Sequence, residues 1–394
     1  MMKIALVCPA SLPATQFGGI LILAVNMAKE FARRGNDVRI FTTDLDAADN
    51  LHTFNKKLPR VETINGFKIN RTHCWFSIYL FYVNPHMYKQ LKDFDADIIH
   101  AIGLRSFQSL IAAFVSKKKN IPLVISDQGG LFTHPELSEA NIMKKILFRL
   151  QYLAIKFIVK QASTIIVGNE YERDMFSRLD VTSKTVIVRN GIDLNELKVE
   201  EGSFKKKYNI AGKYFLFVGR FNESKGIDIL LKALGAVKSD PHTNNTVLVL
   251  MGVNDGFGEK MNEMVKNLSL EDKVLVINKP PRKDVVLAYQ ECEFTILPSR
   301  WELSPLMPLE GFAFKKPSIG TNAHGTPYTI INDKTGILVN PENHSELGDA
   351  ILELLTNEQK RLTLGLGGYQ LVKETCNSNE MTSSILREYE KLVL

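Results

Sequence analysis

The sequence predicts an α/β protein of two doubly wound halves, on three observations. Short apolar runs alternate with helical segments along nearly the whole chain. The alternation stops at a polar, charged stretch, Glu196 to Asn209, and then restarts. The 394 residues also exceed what one ordinary core organises. Strand, helix, strand at this rhythm requires parallel pairing with helices on both faces.

The elements follow in order. Ile4 to Val7 is a short apolar strand, followed by a turn-rich stretch and Gly18-Gly19. Ile20 to Arg34 carries apolar residues at helical spacing and ends at Gly35, a C-cap signal. Further strands are expected at Val38 to Phe41, Ile98 to Ala101, Leu123 to Ile125, Thr164 to Val167 and Val186 to Val188. The last runs into Asn190-Gly191, a turn signal. The second half restarts with a strand at Phe215 to Val218 and a helix at Ile227 to Val237. It continues with a strand at Val247 to Met251, a helix at Lys260 to Asn267, and strands at Val274 to Ile277, Phe294 to Leu297 and Pro317 to Ile319. The expected domains are therefore 1–195 and 210–375. The remainder, 376–394, forms a helix from about Glu380 that returns to the first domain.

Composition narrows the function classes. Apolar and charged fractions are those of a globular protein, and a net charge of +6 suits an anionic ligand or membrane surface. No block of basic residues argues for nucleic acid. The four cysteines, Cys8, Cys74, Cys292 and Cys376, are scattered and form no CxxC pair, which reads as reduced thiols in a cytoplasmic protein. Met1 to Cys8 is too short for the apolar region of a secretory leader. No run of about 18 apolar residues offers a membrane span.

Chemistry concentrates at three strand-to-helix junctions, the edge of an α/β sheet where ligands collect. Glu302 and Glu310, with seven residues between them in Trp301-Glu302-Leu303-Ser304-Pro305-Leu306-Met307-Pro308-Leu309-Glu310, place one carboxylate in a loop and one about two turns on. Each can hold a pair of hydroxyls, as sugars and riboses require. Arg220 and Lys225, in Val218-Gly219-Arg220-Phe221-Asn222-Glu223-Ser224-Lys225-Gly226, are two cations beside a helix start, suited to a diphosphate. Gly18-Gly19 allows close backbone approach in front of another helix N-terminus. Each has a bland alternative: chance spacing, solvated surface cations, a packing turn. The loop Asn322-Ala323-His324-Gly325-Thr326-Pro327 is by itself only turn-rich.

Taken together, these pieces resemble the retaining glycosyltransferases of family four, which have the GT-B fold. The resemblance also rests on Asp97-Ile98-Ile99-His100, Asn190-Gly191-Ile192-Asp193 and Thr335-Gly336-Ile337-Leu338-Val339-Asn340-Pro341, in the family's order along nearly the whole chain. It implies two Rossmann-like domains facing across a cleft that closes on a nucleotide-diphosphate sugar, UDP- or GDP-linked. Arg220 and Lys225 would bind the diphosphate and stabilise the leaving group. Glu302 would contact the transferred sugar and Glu310 the ribose. Gly18 and Gly19, and the amides of Ser304, Leu306 and Met307, would lie against phosphate or sugar. The resemblance implies neither metal nor other cofactor.

One departure concerns the loop Ser126-Asp127-Gln128-Gly129-Gly130, where many relatives carry a histidine. Gln128 or Asp127 takes that slot, with His134 a few residues on. The acceptor is expected to be a glycan or lipid-linked sugar, in polysaccharide or glycolipid synthesis. Residues 141–162 read either as a basic amphipathic helix on the cytoplasmic face of an anionic membrane or as a domain helix with a solvated basic side. The aromatic stretch Cys74 to Tyr82 lines an acceptor groove, touches lipid or simply packs. Two rivals share the fold: a nucleotide-sugar 2-epimerase and a non-catalytic nucleotide-sugar-binding scaffold.

Overall fold

A computed structural model describes residues 1–47, 51–78, 81–127 and 142–393; within the helix 142–161 it describes the side chains of 149 and 151–161. The chain divides into two compact units, Met1–Asn190 with Ser378–Leu394, and Gly191–Asn377.

In the first unit the elements are β1 (Lys3–Val7), α1 (Gly19–Arg33), β2 (Asp37–Thr43), β3 (Val61–Ile64), β4 (Phe67–Thr72), β5 (Phe76–Ile78), β6 (Phe81–Val83), α2 (Met87–Asp93), β7 (Ile98–Ile102), α3 (Phe107–Lys119), β8 (Leu123–Ser126), α4 (Ile142–Gln161), β9 (Thr164–Val167), α5 (Glu170–Phe176) and β10 (Thr185–Ile187). Among the described residues the main sheet runs β10-β9-β8-β7-β1-β2-β4-β3. Every pairing is parallel except β3 with β4.

That exception corrects the expectation of a purely parallel sheet. The chain reverses at Asn65-Gly66, both with positive φ, between the paired Ile64 and Phe67. An Asn-Gly pair in that conformation makes the tight hairpin whose twist matches the flanking strands. A second small hairpin joins β5 to β6.

Alternate residues of β1 enter different cores. Ile4 and Leu6 pack with Leu21, Ala24 and Phe31 of α1 and with Ile385 and Tyr389 of the C-terminal helix, Ser378–Val393. Ala5 and Val7 pack on the other face with Ile111 of α3 and Ile158 of α4. This is a sheet covered on both sides, each fully buried aliphatic or aromatic side chain contributing about 1.5–3 kcal/mol. Arg34 fastens the C-terminal helix, its Nη2 donating to Asn379 O at 2.8 Å and Ser383 Oγ at 2.7 Å.

The second unit contains α6 (Phe204–Lys207), β11 (Lys213–Val218), α7 (Ile227–Val237), β12 (Thr246–Gly252), α8 (Gly258–Asn267), β13 (Val274–Asn278), α9 (Arg282–Glu291), β14 (Thr295–Leu297), α10 (Met307–Ala313), β15 (Ser318–Thr321), β16 (Gly336–Val339), α11 (His344–Thr356) and α12 (Glu358–Glu374). Its sheet runs β13-β12-β11-β14-β15-β16, all parallel. Phe215 and Phe217 face one core and Tyr214 and Leu216 the other. The chain winds outward from β11 to β13, then returns to the opposite side of β11 with β14. Strand order therefore reverses between β11 and β14, and the loops leaving their carboxyl ends diverge around a crevice.

Candidate functional site

The loops after β11 and β14 meet at this switch point. Gly226 has φ of +65°, and a Cβ there would lie 2.0 Å from the carbonyl oxygen of Pro298. Only glycine allows so close an approach in that conformation. The Arg300 amide donates to Ser224 O at 2.8 Å, and its Nη1 donates to Glu223 O at 2.7 Å. The same guanidinium grips Asp228 of α7 through two bonds, 2.7 and 2.8 Å, and Glu342 through Nε at 2.6 Å. Burial pushes the Asp228 carboxyl up, but the Arg300 bonds and charge outweigh it and hold it below the usual range. The two loops are thus fixed by charge-assisted bonds.

Within this frame Lys225 and Glu302 form a contact of 2.6 Å, and Ser299 Oγ donates to the same carboxylate oxygen at 2.8 Å. Their side chains are 19% and 11% exposed, so the pair is shielded without being sealed. Gly325 closes over the Glu302 loop: its amide donates to Glu302 O at 2.9 Å, and a Cβ there would sit 1.5 Å from Leu303 O. The neighbouring His324 has φ of +53°, and burial lowers its pKa.

The other two expected side chains take different partners. Arg220 Nη1 lies 3.2 Å from Asp255 Oδ2, which also accepts from Asn222 Nδ2 at 2.9 Å. Asp255 follows β12, so this pair also stands at the carboxyl edge of the sheet. Glu310, in α10, accepts from Arg282 Nη2 at 2.7 Å, and the Arg282 pKa is raised chiefly by that carboxylate. Tyr289 is fully buried, and its phenol is pushed up first by burial and then by the Glu310 charge. Leu306 precedes α10 and Met307 opens it, with Pro308 in the first turn. First-turn N–H groups have no partner inside their own helix. Ser304 lies in the bend before it.

In the first unit Gly18, with φ of +99°, precedes Gly19, which opens α1. Nothing would touch a Cβ at Gly18, so its backbone conformation, not space, calls for glycine. Gln128 and His134 lie outside the described residues, while Asp127 is buried.

Sequence reasoning missed Arg282, Asp255, Ser299 and Arg300. Arg300 directly precedes the Trp301-Glu302 motif, and that adjacency was the available signal. Arg282 and Asp255 sit in no motif; only the sheet's strand order brings them to this edge.

Comparison with known proteins agrees with this architecture. Residues 17–196 match the family model described as Glycosyltransferase Family 4, and residues 199–370 match that of Glycosyl transferases group 1. A D-inositol 3-phosphate glycosyltransferase of Corynebacterium aurimucosum is 22% identical over 392 residues, spanning 92% of this chain and 90% of its own. Two solved structures share the fold: sucrose-phosphate synthase from Thermosynechococcus elongatus, and Anabaena HepE in complex with UDP-glucose. The first has a TM-score of 0.79 at 19% identity, covering 100% of this chain and 99% of its own; the second has 0.78 at 18%, covering 100% of both. The chain is a glycosyltransferase of family 4, with two Rossmann-like domains in the GT-B fold.

Proposed function

We propose that this protein is a retaining, metal-independent hexosyltransferase that moves a sugar from a UDP- or GDP-sugar to a hydroxyl of a glycan or lipid-linked acceptor. The observation that carries this reading is the half-shielded Lys225–Glu302 pair at the switch point of the second sheet. HepE, of the same fold, was solved with UDP-glucose, which favours the uridine nucleotide.

Cleaving a sugar–phosphate bond leaves negative charge on the diphosphate and positive character on the anomeric carbon. Lys225 and Arg220 are assigned to the diphosphate, where one preorganised donor lowers the barrier by roughly 3 kcal/mol. The three donors of the Lys225 ammonium allow it to keep Glu302 while binding a phosphate oxygen. Glu302 is assigned to the sugar hydroxyls and Glu310 to the ribose. The amides of Ser304, Leu306 and Met307 are assigned to phosphate or sugar oxygens. In the first unit Gly18 and Gly19 are assigned as backbone contacts for an anion, and Gln128 to the acceptor side. Retention follows from acceptor attack on the face the diphosphate leaves, a phosphate oxygen taking the acceptor's proton.

Thermal unfolding against UDP, GDP, ADP and their sugar conjugates tests the donor assignment, since a ligand of the folded state raises the midpoint with its affinity. One nucleotide is expected to stabilise the protein selectively, and Glu310→Ala to abolish the shift. Donor turnover without an acceptor would favour the epimerase, and nucleotide binding without transfer the scaffold.

Attachment to a membrane surface is a second proposal, supported by the α3–α4 face. Phe114 and Leu153 are exposed there, Phe114 packs tilted against Phe157 with ring centroids 4.9 Å apart, and Lys117 lies over the Phe157 ring. Trp75, Phe76 and Ile78 are exposed on and beside the β5–β6 hairpin. Among the described residues no helix is long and apolar enough to cross a membrane. Cosedimentation with phosphatidylglycerol vesicles, lost in Leu153→Asp with Phe114→Asp, is the expected result; equal binding by the double variant would exclude this face.

A further inference from the structure

The carboxyl edge of the first sheet holds a charged cluster that the donor chemistry does not use. Thr43 of β2 pairs with Thr72 of β4, so Asp44 and His73 leave adjacent parallel strands side by side. Asp44 is fully buried. Its Oδ1 accepts from the Cys74 amide at 3.1 Å, and its Oδ2 faces His73 Nδ1 at 2.8 Å and Arg60 Nη1 at 3.3 Å. A carboxylate only accepts, so Nδ1 carries a proton and Nε2 is left for another partner. Nε2 has no hydrogen-bond partner among the described residues, and the His73 side chain is 28% exposed. Arg60 is 45% exposed, and of its five N–H donors one bond goes to Asp44.

The surroundings favour an anion. Leu51 to Arg60 contains Lys56, Lys57 and Arg60 and no carboxylate. This stretch is tied to the cluster by the Asn55 amide, which donates to Asp44 O at 2.8 Å. The loop that follows β1 and leads to Gly18 lies against the same edge. Thr43 Oγ1 donates to Pro9 O at 2.8 Å, and Arg71 Nη2 to Leu12 O at 2.7 Å. A cluster that served only to satisfy Asp44 would not need Arg60 half in solvent, nor a histidine with a bare ring nitrogen.

We infer that Arg60 and His73, held by Asp44, form an acceptor subsite for a phosphate monoester on a sugar or polyol. Arg60 offers its unused donors to the phosphate, and His73 Nε2 forms a hydrogen bond with a hydroxyl or phosphate oxygen of the same ligand. Asp44 is the positioning residue: it holds a proton on His73 Nδ1, orients that ring and accepts from one Arg60 N–H. The inference rests on the reading that the first unit receives the acceptor.

The test uses the full chain saturated with UDP, titrated with glucose 6-phosphate, glucose, or vesicles containing phosphatidic acid. Asparagine carries its side-chain N–H where Nδ1 stands, so His73→Asn keeps the bond to Asp44 and deletes Nε2. Glucose 6-phosphate is expected to raise the midpoint where glucose does not. His73→Asn and Arg60→Gln are each expected to weaken its binding at least about tenfold, or roughly 1.4 kcal/mol, with the UDP shift intact. If Arg60→Gln lowers the basal midpoint, Arg60→Lys replaces it, keeping charge without the planar fork. Binding of the vesicles alone, lost in the same variants, supports the same subsite with a lipid-borne phosphate. The inference is overturned if neither phosphate probe binds, or if both variants bind like the parent. Loss of the UDP shift in the parent chain would instead remove the donor assignment.

Discussion

Lys225 and Glu302 stand 77 residues apart in sequence and 2.6 Å apart in space, joined where the strand order of the second sheet reverses. A cation and a carboxylate in contact at a ligand-binding edge suit a donor that is anionic at one end and hydroxylated at the other. Lys225→Ala and Arg220→Ala are each expected to cost about 100-fold or more in kcat, with the unfolding midpoint of the free protein little changed. Initial-rate kinetics with the stabilising sugar nucleotide measure this. Transfer within a few-fold of the parent would remove either residue from the chemistry.

Arg282 reaches Glu310 at 2.7 Å from the first residue of α9. It is read as a positioning residue, holding the carboxylate that is assigned to the ribose. Arg282→Ala should raise the donor KM and the UDP dissociation constant by about tenfold, a loss near 1.4 kcal/mol, while kcat moves less. Calorimetric titration with UDP beside steady-state kinetics separates the two. A drop confined to kcat would contradict this role.

Gly325 leaves no room for a side chain, because an added Cβ would meet Leu303 O at 1.5 Å. Gly325→Ala therefore has to push the Glu302 loop away from its hydrogen bond to the Gly325 amide. We expect at least about 2 kcal/mol of destabilisation, together with loss of transfer. Denaturant unfolding of the variant gives the first quantity, and a parent-like midpoint would refute it.

His100 makes the first unit sensitive to acid. It is fully buried between Tyr389 OH, 2.5 Å from Nδ1, and Ser126 Oγ, 2.7 Å from Nε2, and burial lowers its pKa to about 3. The unfolded histidine titrates near 6.5. Between those values the unfolded chain binds more protons than the folded one, so stability falls as pH drops below about 6.5. Above that, this group contributes no pH dependence. Its slope approaches about 1.4 kcal/mol per pH unit on the acid side. Midpoints measured from pH 7.5 to 5 should decline less steeply in His100→Gln than in the parent, and parallel declines would assign the sensitivity elsewhere.

Much of the fold was legible because burial on two faces writes itself into local sequence. Ile4 to Val7 and Phe215 to Val218 are continuous apolar runs because helices cover both sides of each sheet, and both lie in strands of the structure. The antiparallel β3–β4 hairpin escaped notice although Asn65-Gly66 signals it, since Val61-Glu62-Thr63-Ile64 is a short edge strand of mixed polarity. β16, Gly336–Val339, lies within the motif Thr335 to Pro341, where the glycine and the Asn-Pro pair at its ends read as turn signals. In the candidate site, Arg220, Lys225, Glu302 and Glu310 could be singled out because each lies in a strand-to-helix junction of the sequence.

By itself, the sequence established an α/β chain of two doubly wound halves, its family, and four charged residues worth testing. These follow from short-range patterns: the period of apolar residues, the turn signals, and the order of motifs along the chain. Tertiary structure alone decided which charge meets which. The chain has 49 basic and 43 acidic residues, and nothing local selects Lys225 for Glu302, Arg282 for Glu310, Arg220 for Asp255 or His73 for Asp44. Those pairings arise because parallel strands deliver loops from distant parts of the chain to one edge of a sheet. A Coulomb contact falls off over a few ångströms, so it depends on that delivery and not on proximity in sequence.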